Sequence, residues 1–341
     1  QSLGIAESMS LVGARIAGWG MSKVGKLGSS PSVLVAAALD AAVRRAGVQA
    51  SELDGFLACP SLSHPRFMEA HHLAAEAGLL PTPPGQRCVV RTIDTGGASP
   101  ISMLLQAKQM VEKEGCDCVA IVAGDSVASL DSADFAGRAD ILQNAEAATP
   151  EGAGYVTLPS PVIPHGYAHA TAAHMERYGL TREQAAMVAV LMSAQGARHP
   201  EALSKKAHTL EEVLAAKEVA PGVGFLECAR KADGAAALVV VSAKRGEALI
   251  RHGKWRRPNG EGTMPPLISI SGAAEAAGPP RMPLGVDGTL AAIGSATEAF
   301  REAYKQAGII GAEDIDWFGL YDCFPICFIR AVEAAGLAEE G

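Results

Sequence analysis

Two hydrophobic periods alternate along the chain. Short apolar runs rich in β-formers occur at 14–20 (ARIAGWG), 54–59 (DGFLAC), 88–94 (CVVRTID) and 118–125 (CVAIVAGD). Runs of that length suit buried strands. Between them, apolar positions recur every three to four residues at 32–46, 67–78 and 99–113, the stripe of a helix that lays one face on a core. Strands alternating with helices predict an α/β fold.

Residues 127–233 break the rhythm. Pro150, Pro159, Pro161 and Pro164 punctuate them, and two helical stripes stand out, near 166–178 and 182–197. They read as a long excursion from the sheet. The Asp233-Gly234 turn re-enters it, strand code resumes at 234–243 and again at 266–272, and 294–308 is an amphipathic helix. Residues 39–60 and 300–325 echo one another as helix, Ala-Gly cap, acidic linker, Asp and apolar strand. Gly47 and Gly308 suit left-handed helix C-caps, and Asp54 and Asp316 stand at the strand entries. In such a duplication the strand ends at Cys59 and Tyr321 are equivalent. Open α/β sheets take ligands at the carboxyl ends of their strands, which directs attention to 95–99 and 321–324.

Composition narrows the function. A chain of 341 residues, 48% hydrophobic and 19% charged, can bury the core of one large domain or two halves. Its net charge of −8, with basic residues scattered, excludes the electrostatic footprint of nucleic-acid binding. The seven cysteines include no CxxC pair and read as reduced thiols of a cytoplasmic protein without disulfides or a zinc site. No apolar segment approaches the roughly 18 residues of a span, so no membrane insertion is expected.

The turn Thr95-Gly96-Gly97-Ala98-Ser99 lies between a strand and the 99–113 helix. Its backbone N–H groups and the helix dipole would stabilise an oxyanion or enolate. No side chain in it is stronger than a hydroxyl, and Ser99 reads as a cap because no base activates it. Tyr321 reads either as an acid or as strand-end packing, and Asp322 either as a catalytic group or as the cap of the next helix. Cys323 and Cys327, four apart, read as core. His165 and His169 have the spacing of a metal pair but no evident third ligand, so no metal is expected.

The duplicated halves, with GWGMSKVGK (18–26), AHMERYGLT (173–181), ADGAAALVV (232–240) and YDCF (321–324) in order, resemble the thiolase superfamily. The similarity is greatest to thiolases of the sterol carrier protein type and their thiolase-like relatives, and it covers about residues 13–340. It implies a thiolase fold in which duplicated βαβ halves form a five-layered α/β/α/β/α arrangement with an inserted loop domain. The N-terminal half would be 13–126 with 234–248, the loop domain 127–233 and the C-terminal half 262–341. It further implies a homodimer acting on acyl-CoA, with the coenzyme A thioester as substrate and no permanently bound cofactor. His165, His169 and His174 would then lie on a helix near the acyl-CoA tunnel.

The chain also departs from that family. Aligned through LLQAKQMV, the family's nucleophilic cysteine is replaced by Gly97, and the His of its strand-end loop by Tyr321. A further Gly-His-Pro block with a second cysteine would lie past Gly341, either lost or outside these 341 residues. Three readings follow. The preferred one is carbon–carbon cleavage or formation on acyl-CoA, of retro-aldol or Claisen type, without a covalent cysteine intermediate. There Tyr321 would handle the proton and the 96–98 backbone would hold the enolate, as in thiolase-like aldolases that work with a small zinc-ribbon/OB-fold partner protein. The second is an acetyl-CoA acetyltransferase whose nucleophile lies elsewhere, at Cys88, Cys323 or Ser99. The third is a non-catalytic acyl-CoA or lipid-binding protein.

Overall fold

A computed structural model of the chain describes residues 13–144, 154–253, 267–279 and 281–341. Pro150 and the domain boundary expected at 262 lie outside them. In chain order the strands are β1 (Ala14–Met21), β2 (Gly55–Ala58), β3 (Val89–Thr92), β4 (Cys118–Ser126), β5 (Glu218–Ala220), β6 (Val223–Gly224), β7 (Asp233–Ser242) and β8 (Ile268–Ser269). The helices are α1 (Pro31–Ala46), α2 (Glu69–Glu76), α3 (Ser99–Lys113), α4 (Ser132–Asn144), α5 (Val162–Tyr178) and α6 (Arg182–Arg198), followed by α7 (Leu210–Leu214), α8 (Ala243–Arg251), α9 (Val286–Ala292), α10 (Ser295–Ala307) and α11 (Pro325–Ala334). They fall into two compact units, 1–130 with 232–273 and 131–231 with 274–341.

The first unit is a mixed sheet in the order β3-β2-β4-β7-β1-β8. β2 runs parallel to β3 and β4, and β7 runs antiparallel to both β4 and β1. Side chains alternate between its faces. Phe56, Ala58, Ala120, Val122, Val239 and Val241 pack with α1 and α2, while Leu57, Val119, Ile121 and Val240 pack with Met103, Ala107 and Met110 of α3. Helices on both faces bury β2 throughout and the first five residues of β4, which is why these strands read as apolar runs. Helix α1 starts on Pro31, whose fixed φ suits the first helical position, and stops at Gly47 with φ +70°. It lies directly on the β1 backbone. A Cβ at Gly18 would collide with the Ala42 carbonyl and one at Gly20 with the Ala38 carbonyl, so this contact requires both glycines.

Residues 127–231 are an insertion whose neck the sheet closes. Ser126, at the end of β4, pairs with Asp233, at the start of β7. The fully buried Asp233 carboxylate accepts from Leu27 N (2.8 Å), Gly28 N (3.3 Å), Ser129 N (3.1 Å) and Ser129 Oγ (2.6 Å). Burial pushes this carboxyl up, but the hydrogen bonds from Ser129, Leu27 and Gly28 outweigh it and hold the pKa below the usual carboxylate range. Asp233 was expected as a turn residue; it is a buried clasp.

The second unit is mainly helical, with a β5-β6 hairpin. Thr181 and Thr209 start α6 and α7 through reciprocal bonds with Gln184 and Glu212. Ala168, Ala170, Ala220, Val223, Phe324 and Ile326 form its core. The duplicated pattern is visible in the local geometry: Gly308 ends α10 with φ +70°, as Gly47 ends α1, and a short 3-10 turn follows each cap. The copies then diverge. The first enters β2, whereas the apolar run after Asp316 has no ladder partner among the described residues, and Trp317 and Tyr321 are 80% and 70% exposed. A strand forms only where neighbours take up its backbone groups, and β3 and β4 do so for the first copy alone.

Asp233→Asn keeps the shape but turns an amide NH₂ toward donors that need an acceptor. It should lower the unfolding free energy by about 2–3 kcal/mol at pH 7, read from urea titrations. A carboxyl whose folded pKa is depressed contributes stability above its unfolded pKa and loses it as pH falls through the folded value. The gap between wild type and Asp233→Asn should therefore close on acidification below about pH 4. A gap that stays constant would show that the charge of Asp233 is irrelevant.

Candidate functional site

The turn after β3 is built by its own side chains. Asp94 Oδ1 accepts from Gly96 N (3.1 Å), and Gly96 takes φ +60°, which glycine adopts freely. Ser99 is buried, accepts from Thr95 N (2.9 Å) and donates to the Gly96 carbonyl (2.7 Å). Its hydroxyl is fully engaged in shaping the turn. Thr95 Oγ1, in the turn, lies 2.8 Å from Ser102 Oγ on the first turn of α3. Ala98 N donates to the Thr95 carbonyl (3.3 Å) and Ser99 N to the Gly96 carbonyl (3.1 Å). The sequence suggested that residues 96–99 share an anion-binding role. Here only the Gly97 N–H has no acceptor among the described residues, and the space a Cβ on Gly97 would enter is open for 4 Å. One donor without an acceptor thus stands two residues ahead of a 15-residue helix, at the end where negative charge is favoured.

The neighbouring rim was not legible in the sequence. Asp125, near the end of β4, accepts from Leu62 N (2.7 Å), Ser63 N (3.1 Å), Ser61 Oγ (3.0 Å) and Ser63 Oγ. It thereby fixes the loop that follows β2, and Ser63 Oγ also meets His64 Nδ1 at 2.9 Å. Cys59, at the end of β2, has its thiol pushed up to about 11, mainly by burial. A cavity in this unit, lined by Ser51, Glu52, Asp54, Gln86, Arg87 and Cys116, lies at the amino ends of β2, β3 and β4, away from the turn.

The loop 321–324 belongs to the second unit. Tyr321 is largely exposed; the desolvation its hydroxyl does undergo, followed by the charges of Cys323 and Asp322, pushes its pKa up, so it is a neutral phenol near pH 7. Asp322 was read as a cap or a catalytic group. It caps nothing: α11 begins at Phe324 without a side-chain cap, and the exposed Asp322 carboxylate takes no hydrogen bond among the described residues.

Beside them is a pair that the sequence reads as core, with Cys323 also an alternative nucleophile. Cys323 Sγ lies 3.3 Å from Cys327 Sγ. Its thiol is lowered to about 7, chiefly by the Cys327 hydrogen bond, against burial, with further bonds from Tyr167 and the Phe324 N–H. The other six cysteines are all shifted up, Cys88 mainly by burial. The chief cause, Cys327, is local, but the Tyr167 hydroxyl that adds to it comes from α5 and leaves no trace in the spacing. His165 Nδ1 meets the Pro161 carbonyl (2.9 Å) and His169 Nε2 meets Thr289 Oγ1 (3.1 Å), so both rings brace α5. Among the described residues no group of His, Cys, Asp and Glu could hold a metal ion, and no helix is long and apolar enough to cross a membrane.

No family model matches the chain. The acetyl-CoA acetyltransferase of Methanothermobacter thermautotrophicus is 28% identical over 304 residues, 88% of this chain and 70% of that protein. A solved structure described as an Ltp2-ChsH2(DUF35) aldolase superposes with a TM-score of 0.71 at 24% identity, covering 96% of this chain and 78% of that one. A monomeric SCP2-thiolase-like protein of Mycobacterium smegmatis superposes with a TM-score of 0.67 at 21% identity, over 95% of this chain and 64% of that one. These structural likenesses establish the fold.

Gly97→Cys tests the turn directly. Gly97 lacks a positive φ and its Cβ position is open, so the variant should fold with stability within about 1 kcal/mol of wild type. A thiol at a helix N-terminus has a lowered pKa. Iodoacetamide at pH 7 should therefore alkylate residue 97 about tenfold faster than Cys88, as quantified by peptide mass spectrometry; equal rates would mean that the turn does not favour negative charge.

Proposed function

The chain is a thiolase-like protein of the sterol carrier protein type, and from that premise we propose that it makes or breaks a carbon–carbon bond in acyl-CoA thioesters without a covalent cysteine intermediate. One observation carries this reading: the Gly97 N–H, free at the start of α3, has no thiol beside it. A backbone donor of this kind lowers the energy of an enolate oxygen but cannot itself take up an acyl group. The aldolase named among the similar structures has a fold of this type, and a β-hydroxyacyl-CoA is the matching substrate class.

Cleavage would run as a retro-aldol step. A base removes the β-hydroxyl proton, the Cα–Cβ bond breaks, a carbonyl forms at Cβ, and the electron pair passes to the thioester enolate, which is then protonated at Cα. The Gly97 N–H is assigned to the enolate oxygen. Tyr321, held neutral, is assigned to donate or relay the proton, with Asp322 beside it. Cys323, with its pKa near the working pH, has the proton affinity of a general base. A second reading has one observation in its favour: the same lowered pKa would suit Cys323 as the nucleophile of an acetyltransferase.

The assay supplies coenzyme A thioesters with and without a small zinc-ribbon/OB-fold protein as candidate partner. Tyr321→Phe should cut turnover of a β-hydroxyacyl-CoA by about 10²-fold and leave acyl-CoA affinity unchanged. Intact mass spectrometry after incubation with acetyl-CoA should show no adduct. An acetyl group on Cys323 would establish the acetyltransferase reading instead, and binding without any carbonyl product would leave a binding protein.

Assembly is a further part of the proposal. β3 is an edge strand of the sheet, and Ile101 on the neighbouring α3 is 61% exposed. An uncovered edge of this kind is a template for pairing, and pairing β3 with its copy gives a symmetric dimer. Light scattering across a range of concentrations should show a dimer, and Ile101→Lys should shift it toward monomer. A concentration-independent monomer would exclude the dimer.

A further inference from the structure

We infer that Cys323 and Cys327 are a redox-sensitive pair, which a low-molecular-weight disulfide such as oxidised glutathione closes into an intramolecular bond across the start of α11. Three independent features converge on it. The sulfurs already lie 3.3 Å apart, so each need move only a fraction of an ångström to about 1 Å to reach the bonding distance of about 2.05 Å. The backbone between them is held: Pro325 fixes the first helical φ, and Phe324 stacks on Tyr167 with ring centroids 4.4 Å apart. Both thiols are half-buried, so neither is sealed from a small oxidant.

The roles of the two sulfurs follow from their surroundings. Cys323 stands just ahead of the first residue of α11, where a helix N-terminus favours a thiolate, and its thiol is the one lowered, so it is assigned as the attacking sulfur. Cys327 is the resolving one, its proton held by the Cys323 thiolate and by burial. In the first step the Cys323 thiolate attacks a sulfur of oxidised glutathione; a Cys323–glutathione bond forms and a glutathione thiolate leaves. Cys323 then carries no charge, so the main cause that kept Cys327 protonated is gone. Cys327 loses its proton to the released thiolate and attacks the Cys323 sulfur, and the second glutathione leaves. Two protein thiols are oxidised, and one glutathione disulfide is reduced to two thiols. Any effect on turnover rests on the role given to this loop under the proposed function; formation of the bond does not.

The test uses the whole protein, reduced, then exposed to oxidised glutathione at pH 7. The product should be two hydrogens lighter, with a peptide in which residues 323 and 327 are linked and neither can be alkylated until reductant is added. Cys327→Ser should stop at a stable glutathione adduct on Cys323. Tyr167→Phe, which keeps the stacking ring, should slow the first step several-fold yet reach the same product. In the reduced wild type, iodoacetamide should modify Cys323 about tenfold faster than Cys88. A wild-type glutathione adduct that persists on Cys323 while Cys327 remains alkylatable would overturn the inference, as would a Cys323 no faster than Cys88. If the bond forms and turnover of a β-hydroxyacyl-CoA is unaffected, the role given to the loop fails while the redox pair stands.

Discussion

Everything in the first unit depends on how β7 is brought back into the sheet. The chain leaves at Ser126 and returns at Asp233, and these residues are register partners on adjacent antiparallel strands. Residues 127–232 are thus, topologically, one very long hairpin loop. Loop-closure entropy grows only slowly with length, so a long insertion is tolerable provided that its neck is well closed. The Asp233 carboxylate closes it, holding Ser129 on the outgoing side and the Leu27-Gly28 backbone beside it. With β7 in place, β1 has a partner and α1 has a surface on which Gly18 and Gly20 admit it.

Near the same strand ends, carboxylates bind backbone N–H groups. Asp94 and Asp125, like Asp233, accept hydrogen bonds from backbone N–H groups. Carboxylates used in this way hold loops and cannot also serve as general bases, because protonation would cost them the bonds that define their positions. The rim is therefore rich in acids and poor in free basic groups. What it leaves open is a donor, the Gly97 N–H, and a site so constructed can accept negative charge but cannot generate it. Among the described cysteines only Cys323 has its thiol shifted toward neutrality, and it belongs to the second unit.

What the sequence could reveal followed the range of the interactions involved. Strands β1, β2, β3 and β4 and helices α1 and α3 were legible to within a few residues because their periodicity is local. Gly18 and Gly20 stood out in GWGMSKVGK, but the reason for them, the Ala38 and Ala42 carbonyls, is not local. Asp54 and Asp316 precede similar apolar runs, and only the first enters a strand, since β3 and β4 are contributed by other segments. Asp125 and the Cys323-Cys327-Tyr167 cluster gave no signal: a Cys pair at helical spacing reads as core whether or not a tyrosine hydroxyl from α5 stands beside it. The pair does pack against the core, so that reading was incomplete.

The loop at 321–327 then follows from a single charge shared among close neighbours. Cys323, Cys327, Tyr167 and Tyr321 cannot all ionise, because each negative charge raises the cost of the next. Cys323 takes it, standing just ahead of α11 where the helix N-terminus favours negative charge. Its charge is one of the causes that keep Cys327, Tyr167 and Tyr321 protonated. A neutral Tyr321 thus shares its loop with a sulfur shifted toward neutrality. Removing the charge from Cys323 removes one cause of the raised Tyr321 pKa and leaves the larger one, burial of the hydroxyl. Tyr321 and Cys323 are therefore coupled groups: the charge on the sulfur adds to the burial that keeps the phenol protonated.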